Sequence, residues 1–168
     1  DPNGNCTSGI NRVYTWQTLD ANDPIKALSY WPSNKYLNVW VARDVKKSTS
    51  TGPGFVIGYA QFPGGAASTD GVVLKSNYVG TIGTAASSGN AGRVASHEVG
   101  HWLNLRHIWG DDNGSCSGSD LVTDTPNQAD MTFSTCPTFP VTDACTPSGN
   151  GILFHDYMDY TVGTCQNV

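Results

Sequence analysis

Residues 97–107 of the chain read His97-Glu98-Val99-Gly100-His101-Trp102-Leu103-Asn104-Leu105-Arg106-His107. This stretch holds three of the four histidines in the 168 residues, and Glu98 is the only glutamate of the chain. Residues four apart on an α-helix lie one turn apart on the same face, so His97 and His101 point in the same direction. Two imidazoles in that arrangement can bind one Zn²⁺ at about 2.0–2.1 Å. The pattern therefore predicts a helix that carries a metal site.

The third histidine constrains the end of that helix. His107 follows His101 by six residues, which is roughly 240° around a continued helix, so the chain must leave the helix to bring both to one metal. Asn104 stands where this break is needed, and Asn tolerates the left-handed conformation that commonly ends a helix. We therefore predict that His97, His101 and His107 bind zinc. Glu98 is then placed to accept a proton from the water that the metal activates.

The composition narrows the class of protein. A chain of 168 residues is long enough for one domain with a core, and its abundant Gly, Ser, Thr and Asn indicate a loop-rich globular protein. The net charge is −5 and no basic cluster exceeds Lys46-Lys47, so we expect no nucleic-acid partner. No apolar run approaches the ~20 residues that span a bilayer, so we expect no membrane insertion. No signal peptide is visible before Asp1-Pro2, which favours a processed or excised product.

The predicted regular structure lies mostly before the histidines. Segments rich in β-branched and aromatic residues predict strands at Tyr36–Ala42, Phe55–Phe62 and Gly71–Leu74, with a weaker candidate at Ile10–Trp16. Further signals are a turn at Thr51–Gly54, a short helix from Asn22 to Ser29 with Pro24 at its start, and cap-type residues at Ser87–Asn90 before the histidine helix. After His107 prolines interrupt every longer run, so loops are expected there.

Cysteine usage points to an oxidising compartment. Four of the five cysteines fall in the last third of the chain, and none forms a CxxC pair. Paired disulfides in a secreted protein fit this pattern better than a cysteine zinc site. Four cysteines allow three connectivities, and their spacing does not choose among them. Cys6 is the odd one, either free or paired outside these residues.

Residues 97–107 resemble the extended zinc signature of the metzincin metallopeptidases, H-E-x-x-H-x-x-G-x-x-H, with Asn104 in the place of Gly. Within that group the chain is most similar to the pappalysin-like family, also called cytophagalysins. The similarity covers nearly the whole chain and is carried by Tyr36–Val41, Gly58–Pro63, Gly92–Asp111, Asp124–Gln128 and Tyr157–Tyr160.

The resemblance implies an α+β fold of the metzincin type. Its expected parts are a twisted mixed sheet with an active-site helix, and a loop-rich, disulfide-bonded C-terminal subdomain. We expect one catalytic domain over residues 1–168, with an upper subdomain at 1–104 and a lower one at 105–168. Relatives carry a further strand-helix-strand portion before Asp1 and usually a helix after Cys165, so the family domain is expected to extend beyond this chain at both ends.

The resemblance also implies roles for individual residues. Met158 would be the Met-turn residue under the zinc, and Tyr160 would stabilise the oxyanion; the alternative for both is simple core packing. The disulfides would join Cys116 to Cys145 and Cys136 to Cys165. Calcium would be bound by Asp120, the main chain of Thr123, and Thr125, whose oxygens suit Ca²⁺; the alternative is that the acidic residues only form turns.

The expected function is that of a secreted, monomeric zinc endopeptidase that hydrolyses protein or peptide substrates. An extended substrate would pair with the edge strand at Tyr59, Ala60, Gln61 and Phe62. Relatives that cut beside basic residues carry an acidic residue shortly after the Met-turn, whereas Thr161–Thr164 are uncharged here, which argues against a strong preference for Arg or Lys after the scissile bond. The alternative function is a metzincin-like module or fragment that binds zinc without cleaving.

Overall fold

The computed structural model describes residues 1–46, 56–85, 89–133 and 135–168. Its regular elements are the strands β1 (Val39–Ala42), β2 (Gly58–Ala60) and β3 (Val72–Lys75) and the helix α1 (Arg93–Trp102). Short 3₁₀ helices lie at Trp16–Leu19, Asp23–Leu28, Ala67–Thr69, Ser76–Tyr78 and Gly83–Ala85. None of the helices within these ranges is both long and apolar enough to span a membrane.

The three strands form one mixed sheet in the order β1-β3-β2. β1 runs parallel to β3, with Val39 opposite Val72, and β2 runs antiparallel to β3, with Tyr59 opposite Val73. In the described part of the chain, β2 therefore has a partner on one side only. The mixed sheet, the helix α1 and the disulfide-linked second half confirm the predicted α+β class.

Each face of the sheet is covered by a different part of the chain. On one face Trp40 and Val73 pack against Ile25 of the second 3₁₀ helix. On the other face Val72 and Leu74 pack against Val94 of α1. The alternation of side chains along each strand separates these two sets. The helix that carries the histidines is thus fixed on the sheet by its own apolar positions.

A buried lysine links the second 3₁₀ helix to β2. Lys26 is 1% exposed, and its Nζ donates to the carbonyl of Thr69 at 2.7 Å and lies 2.8 Å from Oδ1 of Asp23. The same Asp23 oxygen accepts the hydroxyl of Tyr59 at 2.9 Å. Because a buried charge is tolerated only when paired and hydrogen-bonded, this network fixes β2 to the layer beneath it.

Several predicted element bounds need correction. The three strands are shorter than the predicted segments or shifted by one residue, and the weak candidate at Ile10–Trp16 forms no strand, since Trp16 already begins a 3₁₀ helix. The helix after Asn22 forms, but as a 3₁₀ helix. α1 begins after Gly92, which has a φ of 74° and no side-chain cap, so the predicted capping by Asn90 is wrong. The predicted turn at Thr51–Gly54, Phe55 and the cap candidates Ser87 and Ser88 lie outside the described residues.

After α1 the described chain has no further helix or strand. Disulfides join Cys116 to Cys145 and Cys136 to Cys165, the pairing that the family resemblance implies, and Cys6 is free and exposed. Each bridge adds about 2–4 kcal/mol by restricting the unfolded chain. Hydrogen bonds between side chains and backbone, such as those accepted by Asp112, Asp143 and Asp159, replace regular structure in the described residues of this half.

Candidate metal centre and its cleft

Helix α1 ends at a left-handed asparagine, as predicted. Asn104 has a φ of 77°. Its N–H donates to the carbonyl of His101 at 2.9 Å, and the N–H of Leu105 donates to the carbonyl of Gly100 at 2.8 Å. This pair of bonds is a Schellman motif, which turns the chain sharply out of the helix. The turn brings His107 back toward the other two histidines.

The three histidines meet at one point. Nε2 of His107 lies 3.1 Å from Nε2 of His101 and 3.3 Å from Nε2 of His97. Ligand atoms bound tetrahedrally at about 2.0–2.1 Å would lie roughly 3.3–3.4 Å apart. The spacing of the nitrogens therefore fits a small tetrahedral cation. Among the described residues, these three side chains are the group of histidine, cysteine or acidic residues close enough to share a metal ion.

The other nitrogen of each ring is held by an oxygen. Nδ1 of His97 lies 2.7 Å from the carbonyl of Tyr157, and Nδ1 of His101 lies 2.9 Å from the carbonyl of Leu105. Nδ1 of His107 lies 2.8 Å from Oδ1 of Asp111. Since a carbonyl can only accept, the rings of His97 and His101 carry their proton on Nδ1 and leave Nε2 as a lone pair. Such partners orient metal-binding imidazoles.

Electrostatics favour the same protonation state. Burial, followed by the nearby charge of His101, lowers the pKa of His97 to about 3. The hydrogen bond from His107 lowers the pKa of Asp111, so this residue stays a carboxylate. A neutral imidazole is the form that binds a metal ion. The three imidazoles therefore suit zinc both in their ring orientation and in their neutral protonation state.

Asp111 and Trp109 support His107 and were not identified as site residues from the sequence. The indole of Trp109 stacks on the ring of His107, with centroids 4.2 Å apart and planes inclined by 8°. The spacing His107-x-x-x-Asp111 was the available signal, but in a loop such a spacing predicts no fixed contact. The structure therefore adds two residues to the predicted site.

Glu98 lies beside the histidines, buried against the edge of the sheet. A Cβ built on Gly58 would lie 3.0 Å from both Cγ and Oε1 of Glu98. Only a residue without a side chain leaves this space, so Gly58 of β2 determines how closely the carboxylate approaches the strand. Glu98 lines the same cleft as the three histidines, and its contact with the edge strand is an addition that the sequence did not predict.

Met158 lies under α1. It is buried with Ile108 and Trp109 in one apolar cluster. A Cβ added at Gly100 would lie 2.5 Å from its Sδ, so the glycine lets the helix rest on this sulfur. The position agrees with the apolar floor expected of a Met-turn residue.

Tyr160 contacts the histidines through its ring. Its centroid lies 5.0 Å from that of His107, 5.5 Å from that of His97 and 4.9 Å from that of Trp109. Burial, followed by the nearby carboxylate of Glu98, raises the pKa of Tyr160 to about 12. The hydroxyl therefore keeps its proton at neutral pH and can donate a hydrogen bond.

A cleft of about 650 Å³ opens at this centre. The three histidines, Glu98, Tyr160 and the free edge of β2 all line it. Of the four residues predicted to bind substrate, Tyr59, Ala60 and Phe62 line the cleft. Gln61 turns away instead, since its Nε2 donates to the carbonyl of Ala66 at 3.0 Å and its Oε1 accepts the hydroxyl of Thr69 at 2.6 Å.

The free edge of β2 presents specific backbone groups. The carbonyl of Ile57 accepts from Lys75 at 2.8 Å, and the N–H of Gln61 donates to Gly71 at 3.1 Å. In an antiparallel pair, alternate residues bond to the partner strand. Residues 57, 59 and 61 therefore face β3, and the N–H and carbonyl groups of Gly58 and Ala60 point into the cleft.

The residues expected to bind calcium lie in the loop after the metal centre. Asp120 is buried, and its Oδ1 accepts the N–H of Val122 at 2.9 Å. Thr123 is exposed and Thr125 is half-buried. These residues are not part of the histidine centre.

Comparison with known proteins gives one consistent class. Residues 20–168 match the model of peptidase family M43, described as pregnancy-associated plasma protein-A. An extracellular metalloprotease of Arthroderma benhamiae is 42% identical over 99 residues, which cover 58% of this chain and 34% of that protein. Extracellular metalloprotease 1 of Coccidioides posadasii is 40% identical over 139 residues, which cover 78% of this chain and 44% of that protein.

A solved structure is similar over the whole chain. Mature mirolysin of Tannerella forsythia, in complex with a cleaved peptide, has a TM-score of 0.86 and 43% sequence identity. The match covers 100% of this chain and 63% of the mirolysin chain. The chain thus spans less than half the length of these two fungal relatives and under two thirds of the mirolysin chain.

Proposed function

This chain belongs to peptidase family M43, the pappalysin family of metallopeptidases, and on that premise we propose that it is a secreted zinc-dependent endopeptidase. Its substrates would be proteins or peptides, cut by water with Glu98 as the general base. Both fungal relatives are named extracellular metalloproteases, which supports secretion of this chain. The proposal treats residues 1–168 as part of one catalytic domain, with an upper part at 1–104 and a lower part at 105–168.

One observation carries the proposal. The Nε2 atoms of three histidines meet in a cleft that is also lined by the buried carboxylate of Glu98 and by the free edge of β2. His97, His101 and His107 would hold the zinc ion. Three protein ligands leave one position of a tetrahedral ion open, which is typical of catalytic rather than structural zinc. Zinc in such a site supplies Lewis acidity, which lowers the pKa of water toward about 7 and polarises a carbonyl.

Glu98 would move the proton. Its carboxylate, held against Gly58, can accept a proton from the attacking water and deliver it to the nitrogen of the leaving amine. Tyr160 would donate its hydroxyl proton in a hydrogen bond to the oxygen that becomes negative in the transition state. Its raised pKa supports this role, since the hydroxyl remains protonated at the pH of the reaction.

The substrate would add a strand to β2. Gly58 and Ala60 offer main-chain donors and acceptors on the free edge, and such pairing holds a peptide extended across a cleft without reading its sequence. Phe62 lies at the cleft with its ring centroid 5.1 Å from that of His101. Extended, unfolded segments are therefore the expected substrates, and a monomer suffices, because every group invoked comes from one chain.

Calcium binding at Asp120, the main chain of Thr123, and Thr125 is a separate part of the proposal. It rests on the family resemblance and on the oxygen ligands that Ca²⁺ prefers. Its test is the Tm of the zinc-loaded chain with and without Ca²⁺. A rise in Tm that is absent in Asp120→Asn supports the site, and equal rises in both proteins would rule out this residue.

The experiment for the main proposal measures metal content and cleavage together. The zinc-loaded chain and Glu98→Gln, which keeps the size of the side chain, are incubated with an unfolded protein after their zinc contents have been matched. We expect cleavage by the first and a loss of at least about 10²-fold in the second, from the loss of general base catalysis. His97→Gln should lose zinc as well as activity, whereas His155→Gln, a change at the histidine outside the centre, should lose neither.

The same experiment tests the second candidate function. A chain that holds one zinc but cuts no substrate would be a zinc-binding module, the alternative that the sequence left open. Equal cleavage by the wild type and Glu98→Gln would show that another group accepts the proton and would overturn the role of Glu98.

A further inference from the structure

Part of the cleft forms a side-chain pocket that includes His97. At the start of α1, Asn90, Arg93 and Val94 line it. From the loops of the second half, the lining residues are Met131, Phe133, Thr161 and Gln166. Val56 and Ile57, which precede β2, also line it, and Ile57 packs in the same apolar cluster as Val94. A substrate residue beside the reacting carbonyl would direct its side chain into this pocket.

The direction of the substrate decides which residue that is. Antiparallel strand pairs outnumber parallel ones two- to three-fold, so we take the substrate to run antiparallel to β2. Its C-terminal part then lies beside Ile57 and Val56, at the pocket end, and its N-terminal part lies beside Ala60 and Phe62. The pocket therefore receives the first residue after the scissile bond.

The carboxylates that line the cleft are already engaged. Asp111 accepts from Nδ1 of His107. Asp159 is 1% exposed and accepts the N–H groups of Thr132 and Tyr160 at 2.8 Å and Nε2 of Gln128 at 3.1 Å. Glu98 belongs to the reacting centre. A lysine or arginine side chain of the substrate would thus enter a pocket whose acidic groups have other partners.

Arg93 makes the pocket less favourable for a basic side chain. It contributes a positive charge to the lining, and its Cζ lies 5.3 Å from the ring centroid of Tyr157. A substrate cation in the pocket would face this like charge. The charge balance therefore disfavours Lys and Arg.

The rim of the pocket is apolar and open to solvent. Phe133 is 67% exposed and Met131 is 41% exposed, although both line the cleft. An apolar side chain that enters between them would remove surface of both from water, which stabilises the bound state in proportion to the area buried. The rim can therefore stabilise an apolar substrate residue.

We propose that this pocket selects an apolar side chain, such as Leu, Met or Phe, at the first position after the scissile bond, and rejects Lys and Arg. This inference rests on the proposed endopeptidase function of the same cleft. Phe133 and Met131 are the specificity-determining residues, and Arg93 adds the selection against cations.

The test is a cleavage-site profile on a complex mixture of denatured proteins, with the new N-termini read by mass spectrometry. For the zinc-loaded chain, we expect apolar residues at this position to be enriched several-fold, and Lys and Arg to be depleted. Phe133→Glu places an anion on the rim and should move the profile several-fold toward Lys and Arg. Phe139→Glu changes a phenylalanine that is 55% exposed and lies outside the cleft, and it should leave the profile unchanged.

Met131→Glu gives a second variant on the same rim, should Phe133→Glu lower cleavage of every substrate. Enrichment of Lys and Arg, or of Asp and Glu, by the wild type would overturn the inference while the endopeptidase function stands. So would a flat profile, or one that neither rim variant moves. No cleavage at any site by the zinc-loaded wild type would instead refute the proposed function, and the inference with it.

Discussion

Gly58 lies directly against Glu98, so close that an added Cβ would be 3.0 Å from both Cγ and Oε1 of the carboxylate. The contact joins the strand that would bind substrate to the residue that would move the proton. A strand glycine ordinarily weakens a sheet, because it has no side chain to pack. Here the missing side chain of Gly58 is what lets the carboxylate of Glu98 lie against the strand.

Gly58→Ala should displace Glu98 by a few tenths of an ångström and lower kcat by up to about 10-fold, because a shift of about 1 Å in a reacting group can cost about 10²-fold. Zinc content should stay at the wild-type value, since the histidines do not contact this Cβ. Steady-state kinetics measures kcat, and metal analysis of the same sample measures the zinc content. An unchanged kcat would mean that the carboxylate has room to adjust and that the glycine is not needed.

Asp111→Asn should weaken zinc binding by about 10–100-fold, as loss of the partner of a metal-binding histidine typically does. The carboxylate accepts from Nδ1 of His107 and fixes the ring that turns back from the end of α1. Competition with a chromophoric chelator measures the affinity without recourse to activity. Asp20→Asn, a change at an exposed carboxylate outside the cleft, is the control and should bind zinc like the wild type.

Ala60→Pro should raise KM at least about tenfold with a smaller effect on kcat. Proline removes a backbone N–H that points to the free edge of β2 and not to β3, so the sheet keeps its hydrogen bonds while the substrate loses one. Peptides of increasing length supply the measurement, because the effect should appear only for substrates long enough to pair. A uniform loss of kcat without a change in KM would contradict pairing at this position.

Gly100→Ala should destabilise the protein, contrary to the usual effect in a helix. Alanine normally stabilises a helix interior by about 1 kcal/mol relative to glycine. At this position the new Cβ would lie 2.5 Å from Sδ of the buried Met158, and overpacking of that kind costs about 1–3 kcal/mol. Urea unfolding measures whether the free energy of unfolding rises or falls. Ser96→Ala, a change at an exposed position of the same helix, is the comparison.

Acid should loosen the loop that follows the metal centre. Hydrogen bonds from Gly118 and its neighbours lower the pKa of Asp112 from 3.8 to about 2. Because the folded value lies below the unfolded one, the stabilisation is complete above about pH 5 and is lost as the pH falls through 4 toward 2. Amide exchange of residues 114–118, expressed relative to the intrinsic rate at each pH, should accelerate over that range in the wild type. In Asp112→Asn this relative exchange should be faster at pH 6 and independent of this titration.

The metal centre was predictable because its geometry is mostly local. The separation of His97 and His101 follows from the helix repeat, and the return of His107 follows from one left-handed residue, which Asn104 supplies. Local periodicity also located the strands, to within a few residues. These features depend on interactions among residues near one another in the sequence, where helix and turn rules apply.

The contacts that hold the residues of the metal centre in place were not predictable in the same way. The carbonyl that orients His97 belongs to Tyr157, sixty residues later, and no pattern in the sequence pairs the two. The packing of Glu98 on Gly58 and the exposure of Phe133 at the cleft likewise depend on how distant segments meet. Asn90, one of the cap-type residues expected before α1, is not its N-cap, because Gly92 takes that position by backbone conformation alone.

The hydrogen bond between Nδ1 of His97 and the carbonyl of Tyr157 also orders events during synthesis. A ribosome releases all three histidines about fifty residues before it releases Tyr157, so a growing chain carries the ligands for a time without the group that aims one of them. The same late segment brings Tyr160. The partner that aims His97 and the proposed oxyanion donor thus join the centre only after its three ligands have been made, so metal binding and catalytic competence would be acquired in separate steps.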